Sequence, residues 1–241
     1  MFEPLEHAPA YLRLSEAIRT RILDRELRDG EALPTETELA RQFAVNRSTV
    51  REALRNLQSA GLLARRAGGK KLYVSRPTVA AVGDGLREAL SLHDACFADV
   101  WEALLAVEPA LAGAAARRCK AGELDELERI ALAFDQPALP AQEAVALVGR
   151  FFRAIGAASS NPVFILVNEP LVSLVEPGLA IIIDRLPQAR RRIATAQRAL
   201  IEALGKRDQA AAVEWMRRHI QDFRRGYEQA GLPLETVVGR Q

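Results

Sequence analysis

The 241-residue chain has few of the residues that mark secreted, membrane or redox proteins. Its two cysteines, Cys96 and Cys119, are too few for a disulfide framework and suit a reducing compartment. No apolar run suggests a membrane span, and no signal-peptide pattern opens the sequence. These absences predict a cytoplasmic protein that has no membrane partner.

Catalytic signatures are also lacking. The three histidines, His7, His93 and His219, are dispersed along the chain, and neither a glycine-rich phosphate loop nor a Gly-x-Ser-x-Gly motif is present. The sequence therefore predicts a protein that is not an enzyme and that carries no cofactor. Aromatic residues make up only 5% of the chain, whereas Ala, Leu, Arg and Glu are abundant, which favours a mainly helical fold.

The N-terminal third contains a pattern of three helices followed by a small hairpin. An amphipathic stretch predicts the first helix. Thr35 and Glu38 have the capping-box spacing that begins a second helix, and Asn46 is a good N-cap for a third. Gly68-Gly69 then marks the tip of a two-stranded wing. We expect residues 1–77 to form a winged helix-turn-helix domain.

Positive charge is concentrated in this domain. Residues 41–76 contain nine Lys or Arg and one acid, Glu52, although the net charge of the whole chain is only +2. Such a field attracts the phosphates of duplex DNA. Arg47 and Arg51 lie one turn apart where a recognition helix enters the major groove, and they can offer forked donors to guanine. The predicted DNA contacts are Thr35, Asn46, Arg47, Ser48, Thr49, Arg51, Gly68, Gly69 and Lys70.

After Pro77 only helical patterns remain, and they predict an all-helical antiparallel bundle over residues 85–241. Residues 78–84 are expected to form a linker. Turn signals such as Glu176-Pro177-Gly178 separate the helices. The predicted helices are Ala80–Leu92, Asp94–Cys119, Gly122–Phe134, Pro140–Ser159, Pro162–Val175, Gly178–Arg185, Leu186–Leu204 and Asp208–Ala230.

Two strings in the first domain, Leu33–Ala40 and Asn46–Leu54, resemble the signature of the GntR family of bacterial transcription regulators. Residues 85–230 resemble the FCD effector domain of its FadR branch. The resemblance implies a homodimer that binds a pseudo-palindromic operator, with an affinity that a small-molecule effector modulates. Thr37 stands where this branch usually has an operator-contacting arginine, which implies a changed operator at that contact.

Departures from the FCD pattern concern the effector pocket. Most FCD domains bind a divalent metal through one Asp and three His, at positions that correspond here to Val148, Phe152, Gln197 and His219. Only one imidazole is left, which implies that no metal binds. A carboxylate-gripping arginine of many family members is replaced by Leu104. The predicted pocket residues are Leu104, Val148, Phe152, Arg153, Gln197 and His219.

The resemblance leaves several readings of this pocket open. The same His-to-Phe change marks the fatty-acid regulator of the branch, so an apolar or acyl-type effector without metal is the preferred hypothesis. A conventional carboxylate effector, in a regulator of organic-acid or sugar-acid catabolism, is the first alternative. A second alternative is that the pocket binds no effector because the side chains of Val148 and Phe152 fill it. A ligand-independent architectural DNA-binding protein is the alternative of another class.

Overall fold

The structure, a computed structural model, describes residues 8–238 and divides into two compact units at Ala81. The outer ends of the two predicted domains, residues 1–7 and 239–241, lie outside the described residues. Within the described part, the fold is helical apart from one two-stranded sheet near the N-terminus. This confirms the predicted mainly helical class.

The first unit has three helices and a hairpin, as expected. Their bounds are α1 Ala10–Leu23, α2 Glu36–Gln42, α3 Arg47–Ser59, β1 Leu63–Arg65 and β2 Leu72–Val74.

One apolar core lies between these elements. Helix α3 contributes Val50, Leu54 and Leu57, each at most 3% exposed, because their spacing places them on one face of the helix. The strands β1 and β2 pair antiparallel with Leu63 opposite Val74, and both of these side chains are buried. The opposite face of α3 is consequently free to carry charged side chains.

Beyond the hairpin the elements of the described residues are all helices, and the first of them, α4, begins at Val79, shortly before the boundary of the second unit. Their bounds are α4 Val79–Leu92, α5 Phe97–Arg118, α6 Ala121–Phe134, α7 Ala141–Ala158, α8 Pro162–Arg185, α9 Ala189–Gly205 and α10 Gln209–Gln229.

Helix α5 is central to this bundle and packs against α7, α8, α9 and α10. Large, fully buried side chains come from all six of the helices α5 to α10, as in a single shared core. Among them are Leu111, Leu127, Phe151, Pro170, Leu200 and Met216.

The segment after α10 returns to the beginning of α5. The backbone N–H groups of Phe97 and Ala98 donate to the carbonyls of Thr236 and Leu234, each at 3.0 Å. Amides in the first turn of a helix have no partner within the helix, so these carbonyls satisfy them.

Two stretches differ from the predicted arrangement. Most of the residues expected as a linker, 78–84, belong to α4. The turn predicted at Glu176-Pro177-Gly178 is wrong, because α8 continues through it. A Cβ at residue 178 would lie 2.6 Å from Cε2 of Tyr227, so the glycine is needed for close helix packing rather than for a turn.

The sequence predicted no apolar segment long enough to span a membrane, and helix α8 is an exception. Its 24 residues are long and apolar enough to cross a bilayer by length and composition. Nine of them are nevertheless buried inside the second unit, among them Leu171, Leu174 and Leu179. A helix at the centre of a bundle has the same composition, since it is apolar on several sides.

Candidate nucleic-acid interface and ligand cavity

The beginning of α3 is fixed by a compact network around Asn46. Its side-chain Oδ1 accepts hydrogen bonds from the backbone N–H of Thr49 at 2.8 Å, from the Thr49 hydroxyl at 2.8 Å and from the Ser48 hydroxyl at 2.7 Å. This is the N-cap predicted from the sequence. Three hydrogen bonds therefore cap the first turn of α3, and Ser48 and Thr49 both donate their hydroxyl protons to the cap.

Helix α2 begins with the predicted capping box. The backbone N–H of Thr35 donates to Oε2 of Glu38 at 2.7 Å, and the N–H of Glu38 donates back to the Thr35 hydroxyl at 3.3 Å. Thr37 is exposed in the same turn. Both threonines thus lie on the surface at a helix N-terminus, where backbone N–H groups favour anions.

Arg47 and Arg51 are brought together by an acid that the sequence analysis did not single out. Oε2 of Glu36, on α2, lies 3.7 Å from Nη2 of Arg47 and 3.2 Å from Nη2 of Arg51. The two arginine side chains remain 62% and 52% exposed. Glu36 thus contacts both guanidinium groups while leaving most of their donors accessible.

The wing between β1 and β2 has a tight, basic tip. Gly68 has a φ of +72°, a conformation that glycine adopts without strain, and the N–H of Gly69 donates to the carbonyl of Arg66 at 2.9 Å. The Arg66 guanidinium lies 4.0 Å from the centre of the Tyr73 ring. Lys70 is exposed beside the two glycines, so the tip offers both backbone and a cation to a ligand.

A cavity of about 90 Å³ lies inside the second unit, between α5, α7, α8, α9 and α10. Four of the six predicted pocket residues line it: Leu104, Val148, Phe152 and His219. The Phe152 and His219 rings stack with centroids 4.9 Å apart. Dense packing around the imidazole lowers the pKa of His219 to about 4, so the ring is neutral near pH 7.

The other two predicted pocket residues are outside the cavity wall. Arg153 is engaged by α8: its Nε donates to Glu169 Oε2 at 2.7 Å, its Nη1 to Glu176 Oε1 at 3.0 Å and its Nη2 to Ser173 Oγ at 3.1 Å. Two carboxylates on one neighbouring helix therefore hold the guanidinium away from the cavity. Gln197 is 1% exposed, and its amide has no hydrogen-bond partner among the described residues.

The most unusual wall residue, Glu108, was not predicted. It is 2% exposed, and neither carboxylate oxygen has a hydrogen-bond partner among the described residues. Burial raises the pKa of this carboxyl from 4.5 to about 8. Leu104 precedes it by one helical turn, at a position from which a cation could have paired with it. A lone glutamate in an apolar helical stretch is the only sign of this feature in the sequence.

The residues at the positions that correspond to the metal ligands of FCD domains do not suit a metal. Val148 and Phe152 carry no donor atom, and Phe152 covers one face of the remaining imidazole, His219. Residues 8–238 contain no group of three or more His, Cys, Asp or Glu arranged to hold an ion.

An exposed arginine pair on a capped helix, a basic wing and a separate helical unit with a cavity define a DNA-binding regulator with an effector domain. Comparison with known families supports this class. Residues 10–74 match the gntR family of bacterial regulatory proteins, and residues 99–222 match the FCD domain. The chain belongs to the GntR family and is a DNA-binding transcriptional repressor of the GntR and FCD type, not an enzyme. Its place in the FadR branch stays a prediction.

Several known proteins are similar to this chain over different lengths. The transcriptional repressor NanR of Cronobacter sakazakii is 27% identical over 224 residues, covering 90% of this chain and 85% of that protein. A putative L-lactate dehydrogenase operon regulatory protein of Escherichia coli is also 27% identical, covering 86% of this chain and 82% of its own length. The repressor NagR of Bacillus subtilis is 41% identical over 78 residues, only 32% of either protein.

Among solved structures, Streptococcus agalactiae GntR superposes with a TM-score of 0.62 and 26% identity. The match covers 89% of this chain and 99% of that one. The likeness therefore extends over both units.

Proposed function

We propose that the protein binds a pseudo-palindromic operator as a homodimer, with the first turn of α3 in the major groove and the wing tip against the backbone. The observation that carries this proposal is the pair Arg47 and Arg51, which are exposed one turn apart and both paired with Glu36. Two such arginines present forked donors that fit the O6 and N7 atoms of guanine. A two-fold dimer would place one pair on each half-site.

The proposed DNA contacts divide into two kinds. Arg47 and Arg51 read base edges, and Lys70 with the Gly68-Gly69 backbone contacts phosphates at the wing. Thr35, Thr37, Asn46, Ser48 and Thr49 surround the two helix N-termini, where N–H groups and hydroxyls position the duplex. Because such a repressor acts on chromosomal DNA, we expect it in the cytoplasm.

We further propose that a small effector enters the cavity and lowers operator affinity by binding one conformation of the protein better than the other. Leu104, Val148 and Phe152 make the wall largely apolar, which supports an apolar, metal-independent effector. The cavity volume of about 90 Å³ suits a short molecule rather than a long acyl chain. A relative named for an L-lactate dehydrogenase operon keeps a small carboxylate as the second candidate.

Operator binding can be tested by selecting duplexes from a randomised pool with the full-length protein and then measuring affinity by fluorescence anisotropy. Arg51→Ala should lose about 1–3 kcal/mol of discrimination at one guanine in each half-site. Arg13→Ala, which removes an exposed arginine from α1, should retain both affinity and preference. Unchanged affinity and sequence preference in the Arg51→Ala protein would contradict the proposed interface.

A further inference from the structure

The charged residues around the cavity are mostly acidic. Glu108, Glu176 and Asp222 all line it, whereas Arg192 is its single cationic wall residue in the described part of the chain. Arg192 is exposed to solvent, and Glu176 is already paired with Arg153. Asp222 is paired in turn with Arg225 at 3.0 Å, so Glu108 is the only acid of the cavity wall that has no cationic partner in the described part of the chain.

Glu108 is the one acid that lies deep in the wall. It is 2% exposed and has neither a salt bridge nor a hydrogen bond among the described residues. The side chain that precedes it by one turn, Leu104, is apolar and 6% exposed. A buried polar group without a partner destabilises the fold, so a ligand that supplies the missing donor gains that energy on binding.

We infer that the cavity takes a small molecule with an apolar body and a protonated amine, and that the ammonium group pairs with Glu108. This inference rests on the proposed effector function and defines the chemical class of the effector. The apolar body would contact Leu104, Val148 and Phe152. An ammonium carries three N–H donors, and the carboxylate of Glu108 has two free oxygens to accept them.

Binding of such a cation has a consequence for protons. Glu108 holds its proton near neutral pH because burial disfavours the carboxylate. An adjacent ammonium favours the carboxylate, so the O–H proton is released to solvent as the ion pair forms. Glu176 and Asp222 remain paired with Arg153 and Arg225, His219 is neutral already, and Arg192 is exposed in the same wall. One proton released per amine bound is the expected balance.

The test uses three ligands of equal chain length on the full-length protein at pH 7: n-butylamine, n-butanol and butanoate. Isothermal titration calorimetry should rank the amine tightest and butanoate weakest. Glu108→Gln keeps the shape of the side chain but cannot form a carboxylate. It should weaken amine binding about 30-fold, the lower end of the cost of removing one partner of a buried charge pair, while n-butanol binds as before.

Two controls make the result specific. Glu102→Gln removes an exposed acid from the same helix and should leave all three affinities unchanged. Titrations in buffers with different heats of ionisation should show nearly one proton released per amine in the natural protein and none in Glu108→Gln. This readout does not depend on whether the variant is slightly less stable.

Butanoate binding as well as the amine, no binding by any of the three, or full amine affinity in Glu108→Gln would overturn the inference. Operator binding by the same preparations, measured without ligand, tests the DNA-binding proposal separately. A protein that binds its operator but not the amine would therefore contradict only the assignment of the effector class.

Discussion

The two units differ in whether their polar side chains have hydrogen-bond or ion-pair partners. In the first, the arginines of α3 are exposed and share the carboxylate of Glu36, and the buried Ser15 donates to Asn56 Oδ1 at 2.8 Å. In the second, Glu108 and Gln197 are buried with no hydrogen-bond partner among the described residues. The DNA-binding unit satisfies its polar groups before any ligand arrives, whereas the effector unit does not.

This difference determines what each unit can gain from its ligand. Exposed ion pairs in water contribute little to stability, so Glu36 can yield its arginines to DNA at a small cost. A buried carboxyl with no partner destabilises the fold, and a ligand that supplies a partner can recover this free energy. Each ligand stabilises the unit that binds it by mass action, and for a ligand at Glu108 part of that affinity would come from satisfying the buried carboxyl.

The largest effect on stability is expected from large-to-small substitutions in the core of one unit or the other. Leu57→Ala should lower the free energy of unfolding of the first unit by about 2–5 kcal/mol, and Phe151→Ala that of the second by about 3–5 kcal/mol. Both side chains are fully buried, and the two apolar clusters share no residue. Amide hydrogen exchange under mild denaturant should show lost protection in the mutated unit.

Leu23→Ala, at a leucine that is 67% exposed, is the matched control and should change stability by less than about 0.5 kcal/mol. If Leu57→Ala lowered protection in α7 as much as in α3, the two units could not be compared as separate bodies.

The contrast between the units also explains how much could be predicted from the sequence. The caps at Thr35 and Asn46 follow from spacings of three residues, and the structure forms both. The ion pairs of Glu36 were missed because they join two helices and no local spacing indicates them. In the bundle, the buried state of Glu108 depends on five helices that meet around it. The glycine at 178 was misread because its neighbour, Tyr227, is distant in sequence.

The second largest effect is a dependence of stability on pH that belongs to the effector unit. The pKa of Glu108 is about 8 in the folded protein and 4.5 ordinarily, so its contribution to stability is full below pH 4.5 and is lost as pH rises to 8. The pKa of His219 is about 4 instead of 6.5, so its contribution is lost as pH falls from 6.5 to 4. The two slopes oppose each other between pH 4.5 and 6.5.

Between pH 6.5 and 8 only the Glu108 contribution changes. The free energy of unfolding of the second unit should fall there by about 1.4 kcal/mol for each pH unit, since the unfolded chain has lost a proton that the folded chain keeps. Urea denaturation at intervals of half a pH unit would measure the slope. Glu108→Gln should flatten it and Glu102→Gln should preserve it. An equal slope in both variants would assign the pH dependence to other groups.

The smallest effect on stability is expected from Glu36→Gln, a substitution that also tests how the first unit binds DNA. The change removes the carboxylate shared by Arg47 and Arg51 while it keeps the length of the side chain. Because all three side chains are at least 31% exposed, the free energy of unfolding should change by less than about 0.5 kcal/mol.

Operator affinity should nevertheless respond, in a direction that reveals the role of Glu36. If the acid mainly competes with DNA, its removal frees two cations and binding at low salt should tighten about two- to fivefold, as for an exposed ion pair worth up to about 1 kcal/mol. We expect this outcome, because the two guanidinium groups can then reach guanine without first losing their contacts to Glu36. Glu52→Gln, which removes an exposed acid of α3, is the matched control for net charge. Weaker binding by Glu36→Gln alone would show instead that the carboxylate positions the arginines, and that the first unit, like the second, depends on a specific buried or half-buried acid.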